Sequence, residues 1–305
     1  RGRLTATTPG GATAPGAAGG GVRGGPGRRR VNGVRGPGPV LEVALLDRAG
    51  RIKPCGGAIP SRTLADFGIP ETMLVSRAAA ARIIAPSGRT VEMRIGDLGY
   101  VGMVDRSTFD PYLRQRAVYA GASLKTGKLE ALTTRPDGAL ELTIEPTLGN
   151  KDGEPCLTLS TRLVIGADGA NSAVRRLAFP ASRKPPYVFA YHEIVETPAR
   201  PDPAAFQADR CDVIYDGRIS PDFYGWVFPH GEQTSIGCGS AVKGHNLRLA
   251  TADLRRAAGL DDCRVIRREG APIPLKPLDK WDNGRDVVLA GDAAGVVAPS
   301  SGEGI

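Results

Sequence analysis

The stretch VVLAGDAAGVVAPSSGEGI, residues 287–305, decides the fold. A short apolar run leads into Gly291-Asp292, and the residues that follow are almost all small. In an open parallel sheet, ligands bind outside the carboxyl ends of the strands, where glycines let a ligand approach the backbone. This stretch therefore predicts a strand that ends in a carboxylate beside a glycine-rich binding corner.

Two further acids follow short apolar runs. Asp47 follows VALL, and Asp168 follows LVIGA and precedes Gly169. Aspartate next to glycine is also ordinary turn chemistry, so one such site alone leaves both interpretations open. Three acids in the same context favour ligand-binding carboxylates at the edge of an open parallel sheet.

The composition bounds the class of protein. The 305-residue chain is 41% hydrophobic and 24% charged, which is ordinary for a globular protein. It contains no apolar run long enough to span a membrane and no segment that resembles a signal peptide, so we expect a cytoplasmic protein. The five cysteines and three histidines are scattered, which predicts neither a disulfide framework nor a metal site.

Residues 1–40 differ from the remainder of the chain. They are rich in glycine, proline and arginine and contain no acid, so most of the net charge of +8 falls within them. Because they lack apolar periodicity, we expect disorder. Such a composition is also typical of a displaced reading frame in GC-rich DNA, which is the hypothesis we favour. An RNA-binding tail is the alternative, although aromatic residues are not interleaved with the arginines.

Local patterns predict several elements. VDRSTFDPYLRQRAVYAGA, residues 104–122, predicts a helix with a capping box at Ser107 and Asp110 and with Pro111 in its first turn. Turn signals over residues 121–166 predict a β-meander. The remaining predictions are a hairpin, two strands and a short helix, at residues 81–95, 224–229, 234–242 and 249–259 respectively.

Several motifs, in order along the chain, resemble one family. GADGANSAVRR (residues 166–176) resembles the DG motif of flavoprotein hydroxylases of the p-hydroxybenzoate hydroxylase type, and GDAAGVVAPSSGEGI (residues 291–305) resembles their GD motif. CGGAIP, YHEIVE and YGWVFPHG are similar to segments of one subfamily, the bacterial geranylgeranyl diphosphate reductases of chlorophyll and bacteriochlorophyll synthesis. The resemblance covers roughly residues 41–305.

The resemblance implies an α/β fold with two domains. One is a Rossmann-like FAD-binding domain, and the other is an inserted, antiparallel-sheet substrate domain. The expected ranges are 41–60, 96–179 and 282–305 for the FAD-binding domain, and 61–95 and 180–281 for the substrate domain.

The family pattern also differs from this chain at both ends. Family members begin with a βα unit that carries a GxGxxG fingerprint, which residues 1–40 do not provide. They also continue through a helix beyond Ile305. We therefore expect a fragment whose first βα unit is missing or damaged and which binds FAD weakly or not at all.

The resemblance further implies residues that bind FAD and NADPH. Asp292 corresponds to the acid that holds a ribityl hydroxyl, and Asp168 to an acid that serves both nucleotides, in a motif that Ser172 and Arg175 complete. The corner at Gly302 would direct backbone N–H groups at the flavin. The full expected set is Asp47, Arg106, Asp168, Gly169, Gly291, Asp292, Gly302 and Gly304.

Three aromatic residues and one cysteine are candidates for the substrate side. Tyr224, Trp226 and Phe228 alternate, so they share one face of a strand. The resemblance implies that they form an apolar wall for a polyprenyl chain, whereas ordinary core packing is the alternative. Cys55 corresponds to a family cysteine near the flavin and is the candidate catalytic residue. A buried inert thiol is its alternative, because only Lys53 supplies a nearby cation.

The activity implied by the resemblance is an FAD-dependent, NADPH-using oxidoreductase that acts on CH–CH bonds. It would saturate three of the four double bonds of a geranylgeranyl chain, as the diphosphate or as the chlorophyll ester, with no proton donor identified. A peripheral contact with the photosynthetic membrane would follow from such a substrate. A flavoprotein monooxygenase or halogenase of the same fold is the alternative.

Overall fold

The computed structural model describes residues 41–48, 50, 52–96, 99–146, 156–298 and 302. The expectations for residues 1–40 and for Gly304 lie outside these residues. Within the described ranges, no helix is both long enough and apolar enough to cross a bilayer.

The described chain alternates short helices with many strands. The helices are α1 (Ser61–Asp66), α2 (Arg106–Tyr119), α3 (Ala173–Ala178) and α4 (Leu247–Ala257). The strands are β1 (Ala44–Asp47), β2 (Ala58–Pro60), β3 (Leu74–Ala78), β4 (Ala80–Ile84), β5 (Thr90–Arg94), β6 (Val101–Val104), β7 (Ser123–Thr126), β8 (Lys128–Thr134), β9 (Leu140–Glu145), β10 (Leu157–Thr161), β11 (Val164–Gly166), β12 (Tyr187–Glu196), β13 (Arg210–Ile214), β14 (Gly225–His230), β15 (Gln233–Ser240), β16 (Val265–Pro274) and β17 (Val287–Leu289).

A seven-stranded sheet is the largest element of the fold, in the order β16-β12-β15-β14-β13-β4-β5. All its neighbours are antiparallel except β13 and β4, which are parallel. The smaller sheets include two parallel pairs, β1-β7 and β11-β17. Parallel strands beside a large antiparallel sheet confirm the mixed α/β class, and β4-β5 and β8-β9-β10 confirm the predicted hairpin and meander.

The large sheet has two different faces because successive side chains of a strand point to opposite sides. On one face, Val227 and Ile236 pack with Leu254 of α4. On the other face, Ala190, Tyr224 and Trp226 form a separate apolar cluster that α4 does not cover. We call this second surface, with Phe223, Phe228 and Ile273 packed against it, the aromatic face.

Helix α2 begins earlier than the predicted capping box. The N-cap is Asp105, whose Oδ1 accepts hydrogen bonds from the Ser107 amide and hydroxyl, both at 2.8 Å. The prediction that Ser107 caps the helix is therefore wrong, and Pro111 lies in the second turn. The reason is that an ionised aspartate one residue before the helix satisfies the free N–H groups directly. Asp110 instead is buried and pairs with Arg106.

Strand β1 is less buried than its apolar run predicts. Ala44 is exposed, and Leu45 and Leu46 are half-buried. Within the described part of the chain, β1 pairs with β7 alone, so one of its edges has no neighbour there. The predicted domain boundaries are not decided by these pairings. The seven-stranded sheet uses only strands from residues 61–95 and 180–281, but β3 of that range pairs with β6.

Candidate functional site

Two of the three predicted acids follow adjacent parallel strands. Asp168 comes after β11 and Asp292 after β17, and these strands pair through Gly166 and Leu289. The Asp168 carboxylate accepts hydrogen bonds from the Ser172 hydroxyl at 2.5 Å and from the Ala173 amide at 2.6 Å. It therefore anchors the start of α3, which is a structural task whether or not a ligand also binds there.

Asp292 is connected to helix α2 through Lys53. The side-chain ammonium of Lys53 lies 3.3 Å from Asp292 Oδ2. The backbone N–H group of Lys53 donates a hydrogen bond to Asp110 Oδ2 at 3.0 Å. Asp110 in turn pairs with Arg106 at 2.6 Å. Two predicted cofactor residues, Arg106 and Asp292, thus belong to one charged network, and Lys53 is a member that the sequence analysis did not assign.

Asp47 lies at the other side of the same helix. Its Oδ2 is 2.6 Å from Nε of Arg114, which is on α2. The β1-β7 pair is not hydrogen-bonded to β11-β17 within the described strands. The structure therefore connects Asp47 to Asp292 through α2 and Lys53 rather than through one continuous sheet.

Arg175 is a buried cation that forms no salt bridge among the described residues. Its side chain is on α3, it is 6% exposed, and its Nε has no hydrogen-bond partner. Burial, reinforced by Arg176, lowers the pKa of Arg175 below its ordinary value, against the attraction of Asp168. An uncompensated buried charge is costly, so the position is suited to an anionic ligand. Arg175 is thus buried, whereas the neighbouring Arg176 is exposed.

The aromatic face brings the three alternating residues together. The ring centroids of Tyr224 and Trp226 are 6.0 Å apart, and those of Trp226 and Phe228 are 6.4 Å apart. Tyr224 and Trp226 are buried and Phe228 is half-buried. The expectation of one shared face agrees with this arrangement, and the assignment to a substrate pocket stays a prediction.

The two ends of the aromatic face meet segments that were predicted to approach the flavin. A Cβ on Gly302, which has a φ of +70°, would lie 3.3 Å from the Phe223 ring and 3.0 Å from Ile273. A Cβ on Gly56 would lie 3.2 Å from the Phe228 ring. The aromatic face thus lies between the Gly302 corner and the segment Cys55–Gly57.

The segment Cys55–Gly57 is packed tightly. Cys55 is half-buried, and its Sγ accepts a hydrogen bond from the Gly57 amide at 3.4 Å. A side chain on Gly57, at a φ of +76°, would overlap His230 Nε2 and the Val104 carbonyl. Burial lowers the pKa of His230. This effect outweighs the 2.8 Å contact with the Phe228 carbonyl, which raises the pKa, so that the net shift is downwards. His230 is therefore uncharged near pH 7, and its ring packs against this segment.

A polar group that was not expected from the sequence lies on the same side of the sheet as the aromatic face. His192 Nδ1 lies 3.0 Å from Ser235 Oγ, and His192 Nε2 lies 3.1 Å from Glu269 Oε2. The side chains of His192 and Ser235 are buried. The one available signal was His192-Glu193 inside the otherwise apolar strand β12. Nothing in the sequence connects that pair to Glu269, which is on another strand.

A separate recess opens on the α4 side of the large sheet. Its volume is about 370 Å³, and its apolar floor includes Ile214 and Leu254. Charged residues at its rim neutralise each other, as in the ion pair between Arg218 and Asp216. The recess contains none of the predicted site residues, so the aromatic face and its glycine-rich ends are the candidate site.

Comparisons with known proteins concern the family and the fold of the chain. No protein-family profile matches the chain. The geranylgeranyl diphosphate reductase of Rhodobacter capsulatus is 55% identical over 265 residues, which is 87% of this chain and 65% of that protein. The chain belongs to the geranylgeranyl diphosphate reductase family. It spans somewhat less than two thirds of that relative's length.

Solved structures show the same fold in two functional groups. A geranylgeranyl bacteriochlorophyll reductase-like protein from Thermoplasma acidophilum has a TM-score of 0.73 at 22% identity, covering 87% of this chain and 68% of that chain. A flavin-dependent halogenase has a TM-score of 0.62 at 16% identity, covering 86% of this chain and 50% of that chain. Both likenesses concern the fold alone, and the sequence identity places this chain with the geranylgeranyl reductases.

Proposed function

We propose that the chain is part of an FAD-dependent reductase that saturates the double bonds of a geranylgeranyl chain in chlorophyll or bacteriochlorophyll synthesis. The observation that carries the proposal is the position of the aromatic face. This apolar surface lies between the Gly302 corner and Cys55–Gly57, the two segments that the family resemblance assigns to the flavin. A long hydrocarbon beside a redox group needs such a wall.

The residues present fit an FAD-type dinucleotide. Asp292 offers a carboxylate to ribityl hydroxyls, and the glycine at position 302 leaves the corner free of a side chain. Asp47, with Arg114 beside it, would hold the adenosine ribose. Hydride transfer is the chemistry that the cofactors would supply, which leaves the protein to bind, orient and exclude water.

We further propose that the reductant is NADPH. The support is Arg175, a buried guanidinium with no anionic partner among the described residues. A nucleotide phosphate would supply that partner, and arginine suits phosphate because its planar fork donates two parallel hydrogen bonds.

The substrate would lie along Tyr224, Trp226 and Phe228. Their rings present apolar area and few hydrogen-bonding groups, so they favour a polyprenyl chain over a polar one. The neutral, half-buried His230 and the glycines of Cys55–Gly57 close one end of this face against water. Cys55 remains the candidate catalytic residue, in contact with the Gly57 amide.

An anaerobic turnover assay tests the proposal. The full chain is incubated with FAD, NADPH and geranylgeranyl diphosphate, and products are identified by mass spectrometry. We expect stepwise addition of hydrogen pairs to the prenyl chain. Oxygen-dependent hydroxylation or halogenation, with no hydrogenated product, would instead favour the monooxygenase or halogenase alternative. Absence of every product from a chain that binds FAD would refute the reductase assignment.

We also propose a peripheral contact with an anionic membrane surface. Tyr187 and Phe189 are exposed on one side of β12, and the cations Lys184 and Arg248 lie over the Tyr187 and Tyr191 rings. Aromatic rings with adjacent cations suit the interface of a bilayer that contains acidic lipids. Co-sedimentation with vesicles that contain phosphatidylglycerol should exceed that with neutral vesicles, and equal sedimentation would refute the contact.

A further inference from the structure

A row of polar side chains crosses the aromatic face at one level of the sheet. In the strand register, Trp226 is opposite Gly237, Gly237 is opposite His192, and His192 is opposite Glu269. Gly237 has no side chain, and a Cβ there would overlap the Tyr191 carbonyl and the Cβ of His192. The missing side chain lets the His192 and Trp226 rings approach to 6.0 Å.

The polar atoms of this row form a chain of contacts in one direction. Trp226 Nε1 donates to Ser235 Oγ at 3.2 Å, and the Ser235 hydroxyl can then donate to His192 Nδ1 at 3.0 Å. That assignment leaves the His192 proton on Nε2, which lies 3.1 Å from Glu269 Oε2. Glu269 also pairs with Arg267 at 2.5 Å. The hydrogen bonds therefore run from the indole to His192 Nδ1, whereas His192 Nε2 lies close to the Glu269 carboxylate without the geometry of a hydrogen bond.

Charge stabilises the carboxylate end of the row. Burial alone raises the pKa of Glu269, but its contacts with His192 and Arg267 outweigh that effect and hold the pKa below its ordinary value. The ionised carboxylate lies 3.1 Å from His192 Nε2, which is an ion-pair distance but not a hydrogen bond by its geometry. Charge thus anchors the row at its Glu269 end, which is on the edge strand β16.

The indole end of the row lies beneath the segment that contains Cys55. The nearest polar atom to a Cβ placed on Gly56 is Trp226 Nε1, at 4.0 Å. An indole N–H in an apolar site needs a hydrogen-bond partner, and a partner on one side selects one of the two ring orientations. Without the link, the ring could turn its N–H edge towards the substrate face.

We propose that His192 is a positioning residue that, through Ser235, fixes the orientation of the Trp226 indole on the polyprenyl-binding face. The proposal rests on the proposed function for the identity of the substrate. The physical basis is the contact of Ser235 Oγ with both Trp226 Nε1 and His192 Nδ1, because a buried N–H group favours the arrangement in which it is hydrogen-bonded. The oriented indole presents its apolar surface, rather than its N–H edge, to the hydrocarbon.

Indole NMR tests the link without any turnover. The chain has two tryptophans, so Trp281→Phe assigns the Trp226 N–H signal in a ¹⁵N-tryptophan-labelled sample. Ser235→Ala and His192→Leu should move that signal and accelerate its exchange with solvent. His192→Asn, which retains an amide near the Nδ1 position, should restore it in part. The matched control is Ser240→Ala, a buried serine on the same strand that bonds to Asp222.

The kinetic arm tests the consequence for catalysis. With geranylgeranyl diphosphate as substrate, Ser235→Ala and His192→Leu should lower kcat about tenfold, the effect of one lost hydrogen bond on orientation. The KM should change little, and partly reduced products should accumulate.

Two outcomes would overturn the proposal. One is an indole signal in Ser235→Ala that matches the Ser240→Ala control. The other is a shifted indole signal with unchanged kcat and products. A parent chain that reduces no prenyl substrate would refute the proposed function instead, and the indole measurement would still decide whether the link exists.

Discussion

At the residue scale, the structure gives several candidate residues a structural partner as well as a proposed ligand. Asp168 anchors the start of α3, Asp47 pairs with Arg114, and Asp292 pairs with Lys53. Arg175 differs, because its buried Nε has no hydrogen-bond partner and the side chain forms no salt bridge within the described part of the chain. A residue that the unliganded fold leaves unsatisfied is a stronger indication of a ligand than one that is already paired.

Arg175→Met should separate stability from binding. Removing the buried, unpaired charge should raise the free energy of unfolding of the unliganded chain by about 1–3 kcal/mol, because methionine fills similar space without a desolvation penalty. The same change should weaken binding of NADPH at least about tenfold, the cost of one charge-assisted hydrogen bond. Urea unfolding and NADPH titration measure the two effects.

Arg176→Met is the matched control, since Arg176 is the neighbouring residue and is exposed. It should leave both quantities nearly unchanged. Loss of stability in Arg175→Met would contradict the account of an unpaired charge.

At the scale of elements, short helices and strands position the site. Helix α2 carries Arg106 and Asp110 in its first part, and Arg114 one turn after Asp110. The residue at which the helix begins therefore determines where these three charges lie. Strands β12, β14 and β15 place His192, Trp226 and Ser235 on one face through their register. A shift of one residue would reverse every side chain of a strand.

Asp105→Ala should destabilise the chain by about 1 kcal/mol, because Asp105 is the N-cap of α2. Ser107→Ala is the matched control, since Ser107 was the cap expected from the sequence. Ser107 only donates its amide and hydroxyl to Asp105, and the variant keeps the amide contact. Chemical denaturation measures both, and an equal or larger loss in Ser107→Ala would contradict the assignment of the cap.

Gly237→Ala should destabilise the large sheet by about 1–3 kcal/mol, the usual cost of overpacking. The new methyl group would overlap the Tyr191 carbonyl and His192 in the centre of the sheet. Gly217→Ala is the control, because nothing lies within 4 Å of a Cβ at that glycine. Thermal unfolding of the two variants should differ clearly, and similar midpoints would show that the sheet yields at Gly237.

At the scale of the whole molecule, two histidines on different strands are connected to the same segment, one directly and the other through Ser235 and Trp226. His230 packs against Gly57 from the end of β14, and the row from His192 ends at Trp226 beneath Gly56. Neither contact is local in sequence. The position of Cys55–Gly57 therefore depends on the large sheet as a complete unit.

Stability should fall in mild acid because of His230. Its pKa in the folded chain is lowered, mainly by burial, so the unfolded chain takes up the proton first as the pH falls. The contribution of neutral His230 to the free energy of unfolding is complete above about pH 6.5. It declines below that pH, by at most about 1.4 kcal/mol per pH unit. Glu269, whose pKa is also lowered, contributes a further loss only near and below about pH 4.3.

Unfolding midpoints between about pH 5 and about pH 8 measure this dependence, since histidine titrates in that range. His230→Asn should flatten the curve, whereas His245→Asn, which removes a contact with the Ile219 carbonyl, should shift the curve without changing its slope. An identical slope in His230→Asn and the parent would exclude His230 as the cause.

The sequence by itself determined the local elements and the family. Alternation in YGWVFP fixed the shared face of Tyr224, Trp226 and Phe228, and turn residues fixed the hairpin of β4 and β5. Such features depend on neighbours along the chain, so a pattern of a few residues is sufficient. The ordered DG and GD motifs identified the fold for the same reason, because each motif is a short contiguous turn.

Only the tertiary structure decided which groups meet. It joined His192 to Glu269 and Ser235, connected Lys53 to Asp292, and buried Nε of Arg175 with no hydrogen-bond partner among the described residues. It also replaced Ser107 by Asp105 as the cap of α2. Strand register and burial create these contacts between distant residues, and a local pattern does not contain either quantity. The polar row across the aromatic face was therefore inaccessible to sequence reasoning.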